Sequence, residues 1–169
     1  MDQKTKPAIN PFYQELIDLG QISLVILCAG PAILPYLPRT PSFNDWVLVW
    51  EGAAEGSELQ RLARIKFEGF HPTFSRWKKF WYELLGIAIR YSSKSENCEK
   101  LTGKLERLIV QEMSCLAKSF DQWEFVWEFA DCLKDKSLLT LALTQLTKLA
   151  ETDRQLSLVA YWAKLNQDD

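Results

Sequence analysis

The chain has 169 residues, of which 47% are hydrophobic and 25% charged, with a formal net charge of −2. That length can bury a full core without disulfide or metal staples, and the balance excludes a largely disordered chain. Seven Trp and nine Phe supply large rings for a core and for an interface, where Trp and Tyr are enriched.

Residues 1–8 read as a flexible polar tail. Asn10-Pro11 then gives an N-cap followed by proline at the first helical position, so a helix is expected over 11–28, ended by Gly30-Pro31. Residues 19–38 carry no charge and have the length of a membrane span. Pro31, Pro35 and Pro38 interrupt them, and lipid offers the freed backbone groups no partner. A membrane partner is therefore not expected. Residues 29–41 form a Pro-rich connector, with four prolines between positions 31 and 41, and read as extended and stiff.

Residues 42–70 carry two conflicting signals. Ser42 with Asp45 and Ser57 with Gln60 have capping-box spacing, which favours two short helices. Trp46, Val47, Val49 and Trp50 are strand formers, and Arg64 to Glu68 alternates polar with apolar, which is the strand period. A small β-hairpin is the alternative reading of this stretch. Gly52 and Gly56 lack the lysine and the spacing of a phosphate-binding loop and read as turn residues.

From His71 onward the pattern is helical. Phe74, Trp77, Trp81, Leu84, Ala88 and Tyr91 recur at steps of three and four. A second long helix is expected over 96–119, with Leu101, Leu105, Leu108, Ile109 and Leu116 on one side. Asp121 with Glu124 suggests another capping box, and helices follow over 122–134, 137–151 and 154–166. Short links make neighbouring helices antiparallel. The fold class is mainly α: a helical bundle of five to seven helices in a single domain of residues 1–169.

Charge is unevenly spread. Residues 59–107 hold eleven basic and five acidic side chains, net +6, while the stretches on either side are each net −4. Lys100, Lys104, Arg107, Gln111 and Lys118 fall on one helix face, and Arg76, Lys79 and Arg90 on another, with Glu83 among them. Trp77, Trp81, Tyr82 and Tyr91 are close by in sequence. Cations beside aromatic rings suit single-stranded nucleic acid, because the cations neutralise phosphates and rings stack on bases. Against this, Glu124, Glu128, Asp131 and Asp135 form an acidic stripe that could face the basic one inside the molecule. The sequence pI near 5.6 also argues against a nucleic-acid binder acting alone.

Catalytic chemistry is thin. His71 is the only histidine, so nucleophiles lack an alternative imidazole base and a histidine-containing two-metal site cannot be assembled. No enzyme activity, cofactor or metal site is expected. The cysteines at 28, 98, 115 and 132 form no CxxC pair and read as buried thiols of a cytoplasmic protein. Trp123, Phe125, Val126, Trp127 and Phe129 nearly encircle their helix, which implies a core position or a covered docking surface. Trp127, and Trp162 on the last helix, are the candidate partner-binding residues.

In general make-up the chain is similar to the small helical subunits of CRISPR effector complexes, which line a nucleic-acid groove. The similarity is one of architecture and is carried by no motif. It implies a non-enzymatic subunit of a larger complex, with other protein subunits as partners and RNA or single-stranded DNA against the basic surface. A protein–protein adaptor or assembly factor without nucleic-acid contact is the alternative.

Overall fold

A computed structural model describes residues 14, 17–18, 25–26, 31–36, 40–91 and 96–165, with side chains described at 14, 17–18, 25–26, 33–35, 40–86 and 103–165. The helix expected over 11–28 lies mostly outside the described residues. Seven α-helices and one 3₁₀ segment are present among them, and no strand. The chain divides into two compact units, Met1–Pro72 and Thr73–Asp169. No Gly- or Ser-rich linker marks that division in the sequence.

In the first unit, Pro31–Tyr36 is a 3₁₀ helix with Pro35 inside it, where an extended connector was expected. The reason is that proline fixes φ near −65°, which suits a 3₁₀ turn as well as an extended chain. Helix α1 (Phe43–Gly52) and helix α2 (Glu58–Glu68) replace the hairpin alternative. Asp45 Oδ2 accepts from Ser42 N at 2.7 Å and from Ser42 Oγ at 2.8 Å, while Ser42 Oγ accepts from Asp45 N at 3.4 Å. This reciprocal box nucleates α1. The strand formers Val47, Leu48 and Val49 are all buried on it. Before α2, Gly56 takes φ +71°, a left-handed turn conformation that glycine adopts without strain. Ser57 Oγ accepts from Gln60 N at 3.1 Å, and Gln60 Oε1 accepts from Gly56 N at 2.8 Å, a box shifted by one residue. Phe43, at the start of α1, meets Phe67, at the end of α2, edge-on at 6.3 Å, so the two helices run antiparallel.

The second unit holds α3 (Phe74–Tyr91), α4 (Glu96–Leu116), α5 (Phe120–Cys132), α6 (Lys136–Leu149) and α7 (Asp153–Leu165). Each packs on the next, as the short links require. The N-cap of α5 is Ser119, not Asp121. Its Oγ accepts from Gln122 N, and Gln122 Oε1 accepts from Lys118 N at 2.7 Å. The competing Ser-x-x-Gln box two residues earlier starts the helix at Phe120, a ring that is buried. The α5–α6 link is a Schellman turn: Asp135 N donates to Ala130 O and Lys134 N to Asp131 O, both at 3.0 Å. Lys134 sits in it at φ 53°, and Asp135 immediately caps α6 by accepting from Leu138 N.

The core of this unit gathers Trp77, Phe80, Leu105, Ile109, Val110, Met113, Trp123, Val126, Ala142 and Leu146. Rings join α3 to α5. Phe74 meets Phe125 at 6.2 Å and Trp81 meets Phe129 at 4.1 Å, both edge-on, while Phe125 stacks on Phe129. No helix among the described residues is long and apolar enough to cross a membrane.

Candidate nucleic-acid interface

On α3 the rings at 74, 77 and 80 are buried, and Arg76, Lys79, Tyr82 and Glu83 are exposed on the far side. Burial of the aromatic face dictates this: a helix that seats large apolar rings on one side must present its charges to solvent on the other. On α4, Leu105, Leu108, Ile109 and Met113 face inward, and Lys104, Arg107 and Gln111 are exposed. Lys118, just past α4, is exposed too. Arg90 and Lys100 belong to α3 and α4 but lie outside the residues whose side chains are described.

The local electrostatics are modest. Lys79 Nζ is 3.9 Å from Glu83 Oε1, with both side chains largely exposed, so the pair contributes little. Glu106, half-buried on the flank of α4, has its carboxyl pushed above the usual range by burial.

Part of the acidic stripe is engaged elsewhere. Glu124 has its carboxyl raised by burial first, then by Glu128 and Asp121, and the charge that opposes the shift is Arg154 on α7. Asp131 pairs with Lys134 at 3.1 Å, and Asp135 caps α6. Asp131 and Asp135 thus have partners at other places than the exposed faces of α3 and α4.

The four aromatics named beside the basic stripes separate in the structure. Trp77 is fully buried, Trp81 is packed on Phe129, and Tyr91 has no described side chain. Tyr82 is 54% exposed. It lines a shallow groove of about 580 Å³ on α3 with Ser75, Lys78, Lys79, Glu83 and Gly86. Lys78, absent from the sequence candidates, holds its ammonium 4.4 Å from the centre of the Phe125 ring. Its place four residues before Tyr82, on the same side of the helix, was the available signal.

Trp127 and Trp162 stack on each other, with centroids 4.7 Å apart and planes at 24°. Each is buried, at 7% and 6% exposure, so their ring faces close α5 against α7. The exposed apolar side chains of that region are instead Leu156, Tyr161 and Leu165 on α7 and Leu141 on α6.

His71 is exposed in the turn after α2 at φ 47°, a conformation that histidine tolerates better than most residues. Among the described residues, no group of three or more His, Cys, Asp or Glu could hold a metal ion. Compared with protein-family models, curated proteins and solved structures, the chain finds no match. A functional reading therefore rests on its own residues.

Proposed function

We propose that this protein is a non-catalytic helical subunit of a larger multiprotein complex. In this reading it presents the basic faces of α3 and α4 to the phosphate backbone of RNA or single-stranded DNA. The observation that carries it is the exposure of Arg76, Lys79, Lys104, Arg107 and Lys118 while Asp131 and Asp135 of the acidic stripe engage Lys134 and the α6 N-terminus. A net charge of −2 suits a subunit that shares its ligand with neighbours better than an autonomous binder. Cys115 and Cys132, expected to be buried, are exposed, and free exposed thiols suit a reducing, cytoplasmic compartment.

The test is titration of labelled single-stranded RNA and DNA at several salt concentrations, with the protein alone and in the complex purified from its source. Phosphate contact predicts that log affinity falls linearly with log salt, by about 0.7 per phosphate neutralised on a single strand. No binding at low salt in either form refutes the reading.

An adaptor without nucleic-acid contact is the second reading. Tyr161 and Leu165, four apart on one exposed side of α7, favour it, because neighbouring exposed apolar side chains mark protein-interaction sites. Tyr161→Glu would then release co-purifying subunits, while charge removal on α3 and α4 changes nothing.

A further inference from the structure

We infer that the Tyr82 groove is a base-stacking site for an unpaired nucleotide, which makes single strands, and not duplexes, the ligand of this surface. The inference rests on the nucleic-acid reading above and adds to it. Three observations carry it. Tyr82 is the one ring of α3 with a described side chain that is mostly exposed. Its edge-on contact with Phe125 at 6.2 Å fixes the ring on one side and leaves the rest of it in the groove. Gly86, one turn further on, puts no side chain over the turn from which Tyr82 projects, because helical side chains lean toward the N-terminus and a residue at i+4 covers the one before it.

Cations flank the ring. Lys78 and Lys79 line the same groove, and Arg76 is exposed on the adjoining edge of the helix. Among the described residues, Lys79 is held by its surface pair with Glu83, which a phosphate can replace at small cost. The groove is shallow and open, which suits a base that stacks on one face of the ring while its backbone stays in solvent. Rings that stack bases beside cations that hold phosphates are the general device of single-strand recognition. A base paired inside a duplex has both faces covered and cannot use it.

The experiment compares three labelled probes of equal length: an oligouridylate, a base-free phosphodiester strand, and the oligouridylate annealed to oligoadenylate. Tyr82→Ala is expected to weaken oligouridylate binding about 5- to 150-fold. It should leave the base-free strand, the duplex and the salt slope as in wild type. Tyr82→Trp should keep oligouridylate affinity within about twofold, because stacking tolerates any flat ring, and its indole fluorescence should be quenched by the bound base. Unchanged melting curves for both variants show that the fold is intact. Equal loss on the base-free strand, or no loss on oligouridylate, overturns the stacking site while the phosphate reading stands. No binding of any probe by wild type, alone or in its complex, overturns both. Polyglutamate displacing oligouridylate from wild type, with the same Tyr82 dependence, assigns the groove to an acidic protein and also overturns the inference.

Discussion

Replacing Trp162 by alanine should detach α7 from the second unit. The helix buries only two side chains, Val159 and Trp162, and the latter stacks on Trp127 at 4.7 Å. A buried Trp removes about 150–250 Å² from water, worth about 4–6 kcal/mol at 25 cal/mol/Å². Measured Trp-to-Ala losses of about 3–5 kcal/mol agree. Val159 alone supplies about 1.5–3 kcal/mol, and a helix of 13 residues is marginal in water without docking. Trp162→Ala should therefore lower stability by about 3–5 kcal/mol. Amide exchange along α7 should accelerate while α1 and α2 keep their protection. Urea denaturation and residue-resolved hydrogen exchange read the two effects. A loss below about 1 kcal/mol with α7 still protected would refute the assignment of α7 docking to this ring pair. The same result governs how partner experiments are read: partner loss in a Trp162→Ala protein reports an undocked helix, so the exposed Tyr161 is the better probe of docking.

Three further outcomes are expected. Ser42→Ala removes the box that starts α1 and should cost about 0.5–2 kcal/mol in denaturant unfolding, with Ser42→Gly costing less. Lys134→Gly relieves a non-glycine residue at φ 53° and should stabilise by about 1 kcal/mol, read as a higher melting temperature; a drop would contradict the Schellman assignment. Glu124 has its carboxyl raised above its ordinary 4.5, chiefly by burial, so the folded state binds this proton more tightly than the unfolded chain. Stability then falls as pH rises through the window above 4.5, and Glu124→Gln should melt higher than wild type at pH 7, with the advantage vanishing below pH 4.5. Equal melting temperatures at both pH values would contradict the shift.

The helices of the second unit were legible because their buried positions keep the 3.6 period. Phe74 and Trp77, then Leu105, Leu108 and Ile109, are buried as the spacing requires. Residues 42–70 were not decided by pattern, since short apolar runs fit either period. Ile65 shows why: a strand would place it beside Phe67, yet it is 66% exposed and the buried pair is Ala63 with Phe67, four apart. Val47, Leu48 and Val49 look like a strand because both sides of α1 are covered, and tertiary burial overrides propensity. Of the candidate site, the exposure of the described basic residues follows from the same periodicity. The pairing of Trp127 with Trp162 joins positions 35 residues apart in sequence, and no local pattern encodes it. Tyr82 stands one step beyond Trp81 in the chain, and that single step of about 100° around the helix carries it away from the Phe129 ring toward solvent, with an edge-on contact to Phe125 retained.

The central claim is that polyanion binding belongs to the exposed faces of α3 and α4. Its most direct test sets two charge-removal variants side by side in a salt titration with single-stranded RNA. One carries Arg76→Ala, Lys79→Ala, Lys104→Ala, Arg107→Ala and Lys118→Ala; the other carries Lys136→Ala, Lys148→Ala and Lys164→Ala on α6 and α7. The first should bind weakly, with a salt slope shallower by about 0.7 for each phosphate contact removed, and the second should keep the wild-type slope. Equal slopes in the two variants, or a larger loss in the second, would contradict the account.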